Sequence, residues 1–348
     1  MEKVEKVYAD SVVKFDNKYI CVSAENNLIY SISDESGNID IIGVIPEERM
    51  DGQHLCCKIC VWNRKLIFVP YMAGKCWIFD MVTEKWNQIT LKKPRIGRKF
   101  HMGIVYNDKL FMIPFRYDAL VIVDLKTFDV IEKDDYIAPQ LKIDHKSGVF
   151  FNGCVVEDNN VLAASSSANA VLKFNMDNYD CEWKILGDSN NCYSGITKYK
   201  NDYWLAPRKN GCIVKWDGDK EISEFPLNGN YPDGDNFLGV VGYNGVKVLS
   251  MNSQKSVLID ETDNISLLDD CDYSFAEMID DCLMTYQKSG RFSVCSNENK
   301  LCVDTYISRD KLIDHIRQNK DFYTTLLYEN ISKECSVFGI SEFMDSIL

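Results

Sequence analysis

Long apolar runs are missing from this chain. No stretch approaches the roughly 20 consecutive apolar residues that a membrane-spanning helix needs. The opening residues, MEKVEKVYAD, are charged and lack the apolar core of a secretory signal. Both features lead to the expectation of a cytoplasmic protein with no membrane partner. Basic charge is also scarce: 39 Lys and Arg stand against 52 Asp and Glu, a formal net charge of -13. Such a surface repels phosphate backbones, which excludes nucleic acid as a general partner. Helical periodicity is absent before residue 309. Catalytic signatures are absent too, with no G-x-S-x-G elbow, no P-loop and no dinucleotide fingerprint, so the expected cofactor and metal complement is none.

Cysteine, by contrast, is plentiful, with 14 in 348 residues. The cysteines sit inside apolar strand runs such as LCCKICVW and CIVKW, which reads as small buried thiols in a reducing compartment. Cys57 and Cys60 have metal-like spacing. On a strand, however, residues three apart face opposite sides, and no second pair or histidine stands nearby. Hydrophobic residues make up 46% of the chain, enough for a sizeable core.

What the sequence does have is repetition. Apolar strands begin at Leu28, Cys76, Leu120, Val171, Cys212, Ser256 and Arg291. They lie about 44 residues apart on average, inside the roughly 40 to 50 of one four-stranded propeller blade. Strand-length runs surround each one, as in CCKICVW, KLIFVP, CWIFD and WNQITL. Asn or Asp marks the first turn of the units (WNRK, YNDK, EDNN, YKND, YNG), where the left-handed backbone of tight hairpins is needed. Two units write the same phrase after the third strand: Asp80, Thr83, Trp86, then Asp124, Thr127, Val130. The Asp and Thr suit a turn closed on its own backbone. Trp86, like Trp183, is expected to pack against the neighbouring unit. The fold class is therefore all-β, a seven-bladed β-propeller over residues 1–307. Six blades remain an alternative because the last unit, SFAEMIDDCLMTYQKSGRFSVC, is irregular. The ring could close through EKVYAD as an added strand or by packing alone.

The stretch CWIFDMVTEKW followed by PRIGRKFHMGIVYNDKLFMIP resembles a kelch repeat, of the type also found in the central domain of galactose oxidase. The resemblance is best over Lys75 to Pro114, with weaker copies over most of residues 10–307. The Gly-Gly doublet that closes the second kelch strand is absent; FVPY, MIPF and LAPR stand there, which marks a divergent form. The resemblance implies a propeller. It does not fix a function, because kelch propellers serve many. Kelch-type copper oxidases use a Tyr, a cross-linked Cys and two His, and no such constellation is seen.

Residues 308–348 differ. Leu312, Ile316, Tyr323, Leu326, Leu327 and Ile331 fall at helical spacing, with Ser308 as N-cap and a second short helix at ISEFMDSIL. This C-terminal helical tail either packs on the propeller or docks a partner, and His315 reads as a surface residue.

In a propeller, the loops between second and third strands share one face with the connections between blades. On that face the connection KKPRIGRKFH carries Lys92, Lys93, Arg95, Arg98 and Lys99 without an acid. Arg116, Arg208 and Lys288 fall in loops of the same face. So do His54, His101 and His145, with Tyr71, Tyr193, Asn252 and Tyr273. Guanidinium groups grip carboxylate or phosphate in a bidentate fashion, and tyrosines stack on sugars or peptide side chains. The plainer reading is a polar loop surface in which each Arg pairs with a nearby acid. The expectation is a non-catalytic recognition module for a protein, peptide or glycan ligand with an anionic group, contacted by Arg98, His101, Arg116, Arg208, Tyr71 and Tyr193. The alternative is a propeller lyase or isomerase with His101 as acid/base, with or without a divalent cation. Scaffolding through the tail is the third.

Overall fold

The structure is a computed structural model. It describes residues 4–49, 51–93, 96–136, 151–186, 191–208, 211–227, 237–251, 255–268, 272–279, 281–296, 300–308, 311 and 314–315. Arg95, His145, Asn252 and nearly all of the tail lie outside the described residues.

Seven four-stranded antiparallel sheets follow one another, each with its strands in chain order. Their first strands are Ala9–Phe15, Cys56–Trp62, Phe100–Tyr106, Phe151–Glu157, Tyr193–Tyr199, Phe237–Gly242 and Tyr273–Ile279. The chain is all-β, a seven-bladed propeller, and the irregular last unit is a complete blade. Each apolar anchor from the sequence is a third strand, from Ile29–Ser33 to Arg291–Cys295.

Turn chemistry explains the regularity. The first hairpins of the second and third blades put Asn63 and Arg64, then Asn107 and Asp108, at positive φ, the pairing a type I′ turn demands. After the third strand, Asp80 Oδ1 accepts the N–H groups of Val82 and Thr83 at 3.0 and 2.9 Å. Asp124 does the same for Lys126 and Thr127 at 2.8 and 3.0 Å. Asn175 and Asp217 repeat the arrangement in two further blades. The residue after the turn, Glu84, Phe128 or Tyr179, has a φ of 56, 64 or 65°. The recurring Asp is thus a hairpin device. Backbone N–H donors from Thr83 and Val82 hold the Asp80 carboxyl below its ordinary range.

Packing divides the chain into two compact units. One holds the chain up to Gly97 and the segment from Thr285; the other is Arg98–Met284. In the first, Phe15, Ile20, Val22 and Ile29 of the first blade form one buried layer with Leu66, Phe68, Trp77 and Phe79 of the second. Side chains of this size contribute about 1.5–3 kcal/mol each when fully buried. Trp86 lies against this layer, but its ring contacts are with its own blade: Phe79 at 4.7 Å, Phe68 at 5.4 Å and Trp77 at 6.2 Å. Trp183, in the second unit, stacks on Phe151 and donates Nε1–H to the Tyr136 carbonyl at 2.6 Å.

In the second unit the first strands of adjacent blades nearly touch. A Cβ on Gly153 would fall 2.8 Å from the Gly195 Cα, and one on Gly195 would fall 3.0 Å from the Gly239 Cα. Only glycine permits that approach, and Gly153 also has a φ of +87°.

The first unit also contains the join between the first and last blades. Val4–Lys6 pairs antiparallel with Tyr306–Ser308 in a separate two-stranded ribbon, so no strand is exchanged between blades. Beside it, the fully buried Thr305 Oγ1 stands 2.7 Å from the Val7 carbonyl and 2.5 Å from that of Gly290. Tyr286 O–H donates to Thr305 Oγ1 at 2.5 Å, and Tyr30 O–H donates to Tyr286 at 3.0 Å. At the start of the tail, Ser308 Oγ caps the Lys311 N–H at 3.1 Å, as a helix N-cap does. His315 is half-buried.

The Thr305 hub predicts a stability effect. Thr305→Val takes the hydroxyl away from the Val7 carbonyl and from the Tyr286 O–H, each buried loss costing about 1–3 kcal/mol, and should lower the urea midpoint without changing the far-ultraviolet dichroism. An unchanged midpoint would show that the hub contributes nothing to the join.

Candidate functional site

One corner recurs where the first strands of the first six blades begin. The ladder between first and second strands slips by a residue at Asp10, Cys57, His101, Ser194 and Leu238, and across Asn152 and Gly153. Each slip is a β-bulge that re-aims a side chain at the end of the strand. The residue that pairs just before the bulge meets a Pro or Ser closing the second strand, as Phe100 meets Pro114 and Phe151 meets Ser165. Pro has no N–H to lose where a bulge interrupts the ladder, which is why FVPY, MIPF and LAPR are tolerated. The next loop residue then donates its N–H to the carbonyl two residues ahead of the bulge. Ala24 donates to Tyr8 at 2.9 Å; Tyr71 to Leu55, Phe115 to Lys99 and Arg208 to Cys192, each at 2.8 Å.

In the second unit, the third blade makes the most crowded corner. The Lys99 carbonyl receives N–H groups from Phe115, Arg116 and Tyr117 at 2.8, 3.0 and 3.1 Å. This brings Arg116 and His101 to one corner. The His101 ring lies 6.2 Å from that of Phe115, and burial pushes the His101 pKa down to about 4, so the imidazole is neutral at pH 7. Arg98 is exposed on the approach to this strand. Lys99 is not part of the surface cluster expected from KKPRIGRKFH, because its side chain is buried. Arg116 is half-buried. Its Nε is enclosed without a hydrogen-bond partner, and its guanidinium makes no ion pair among the described residues.

Arg208 reaches from the fifth blade to the fourth, where Nη1 donates to the Ser166 carbonyl at 2.9 Å. Tyr193 is fully buried and donates its O–H to Asn169 Oδ1. It stands in the pre-bulge position with Phe100, Phe151 and Phe237, all buried. Its ring is core and presents no stacking face to a ligand.

The first unit is described by itself. Tyr71 is half-buried in the second blade's corner. In the first blade the bulge residue Asp10 places Oδ2 2.7 Å from His54 Nδ1. Burial, with Glu25 and Asp10 adding to it, pushes the Tyr8 hydroxyl up to about 12. The same backbone corner therefore carries acid and imidazole in one blade and a guanidinium in another. Lys288 follows the second strand of the last blade. No group of three His, Cys, Asp or Glu side chains able to hold a metal ion occurs among the described residues, and the described cysteines are free thiols. No described helix is long and apolar enough to cross a membrane.

No protein-family model matches the sequence, and no curated protein is similar to it in sequence. Solved structures do resemble the fold. Virginiamycin B lyase from Staphylococcus aureus is 12% identical with a TM-score of 0.62, over 82% of this chain and 96% of that one. A streptogramin B lyase is 14% identical with a TM-score of 0.59, over 88% and 98%. BamB from Moraxella catarrhalis is 9% identical with a TM-score of 0.55, over 88% and 91%. Likeness at these identities shows the propeller fold and nothing about chemistry.

The partial burial of His101 gives a direct check. Its imidazole resonances should titrate with a midpoint near 4. Because the folded pKa lies below the ordinary value of about 6.5, the unfolded chain binds the extra proton first. Stability should therefore fall as pH drops from about 6.5 towards 4, and His101→Leu should flatten that slope. A midpoint near 6.5 would contradict the burial.

Proposed function

We propose that this protein is a non-catalytic recognition module that binds an anionic protein, peptide or glycan through the corner loops, with Arg116 as the principal contact. The supporting observation is that Arg116 keeps a half-buried guanidinium without a partner among the described residues, in a chain of net charge -13. A guanidinium with an enclosed and unsatisfied Nε gains more from a carboxylate or phosphate than an exposed one does. Arg208 and the exposed Arg98 extend the cationic surface. His101 supplies a neutral donor or acceptor at the same corner as Arg116. We read the repeats as divergent kelch units, on the strength of the Asp-Thr turns. The tail from Ser308 onward is a second docking element in this reading.

A lyase with His101 as acid/base is the competing reading. General-base efficiency is greatest when the pKa lies near the working pH. A base held near 4 accepts protons poorly at pH 7, and this weighs towards recognition.

The test is a screen of the purified chain against arrays of acidic glycans and of acidic peptides. Removing one partner of a buried charge pair costs about 2–5 kcal/mol. Arg116→Ala should therefore weaken the ligand found by well over tenfold while the melting temperature holds. Retained affinity in Arg116→Ala would overturn the reading.

A further inference from the structure

The run Ser165–Ser166–Ser167 closes the second strand of the fourth blade and opens its loop. Each serine does something different. Ser165 Oγ accepts the N–H groups of Ser167 and Ala168 at 3.2 and 3.0 Å, which fixes the turn. Ser166 and Ser167 are 1% and 8% exposed, and neither hydroxyl has a hydrogen-bond partner among the described residues. The neighbouring Asn169 is satisfied on both sides, donating to the Leu186 carbonyl and accepting from Tyr193. The two unpartnered hydroxyls thus belong to consecutive residues, and the backbone of the first of them receives Arg208. That guanidinium grips the Ser166 carbonyl at 2.9 Å and remains half-exposed.

An unsatisfied buried hydroxyl destabilises the fold unless a partner reaches it. Two in succession, in the loop whose backbone Arg208 contacts, form a donor set in search of an acceptor. We infer that Ser166, Ser167 and Arg208 form a subsite for a terminal oxyanion, either a carboxylate or a phosphate. One ligand oxygen accepts from each hydroxyl, and the guanidinium supplies the opposite charge. Alanine, glycine or threonine at the two positions would not reproduce this set, because each removes a hydroxyl or adds a methyl group. The inference deepens the recognition reading, since it names the group by which the ligand is held, and it rests on that reading for the rest of the ligand.

The experiment uses the full chain and two probes, inorganic phosphate and acetate, titrated calorimetrically at constant ionic strength set with sodium chloride. Saturable binding of at least one probe is expected, and the stronger response tells phosphate from carboxylate. The double variant S166A/S167A should bind that probe about tenfold more weakly, as loss of two hydrogen bonds implies. Without ligand it should be at least as stable as the parent, because it loses two unsatisfied groups. R208Q should abolish the response. Absence of saturable binding for both probes, or equal binding by the parent and S166A/S167A, overturns the subsite. The two readings fail separately. The double serine variant decides the subsite whatever Arg116 does, and Arg116→Ala decides the wider reading whatever the small anions do.

Discussion

A single backbone hydrogen bond organises the bulged corner of the first, second, third and fifth blades. The N–H that opens the loop after the second strand finds its acceptor in the carbonyl ahead of the first-strand bulge. A buried N–H left unpaired would cost as much as a lost hydrogen bond, so loop and inter-blade connection are held together wherever this bond forms. Side chains on both segments are then presented from a fixed backbone, as precise recognition requires. The third blade concentrates the constraint, with three donors converging on the Lys99 carbonyl. Arg116 is positioned by the peptide groups on both sides of it.

Because the backbone corner is common to many blades, chemistry resides in the residues placed upon it. Asp10 with His54 pairs a carboxyl group with an imidazole at one corner. Arg116 beside a neutral His101 makes another cationic. Folds of this kind accept very different functions by such substitutions.

The repeat and its turns were legible in the sequence because their causes are local. Asp80 and Asp124 act on N–H groups two and three residues away, and Asn63 and Asn107 on their own φ. Any feature set by contacts distant in the chain was harder to see. Nothing near Tyr193 reveals that it belongs with Phe100, Phe151 and Phe237. That needs the register of four blades, although the aromatic before each bulge is a signal that could have been aligned. Lys99 looked like its basic neighbours, and only the fold withdraws it from the surface. Trp86 was expected to pack against the neighbouring blade, but its ring partners are Phe68, Trp77 and Phe79 of its own. The serine run of the fourth blade went unremarked because its meaning depends on Arg208, 42 residues away from Ser166.

The terminal ribbon has a mechanical consequence. Val4 is opposite Ser308, and Lys6 is opposite Tyr306, so both chain directions leave the ribbon at the same end. Tension applied through the flanking segments would peel the pairs one after another instead of loading them all in parallel. Every blade is a contiguous stretch of chain, so such peeling would separate the two ends of the array while leaving each four-stranded sheet whole. Resistance to pulling would then fall to the buried Thr305 and the tyrosine pair behind it.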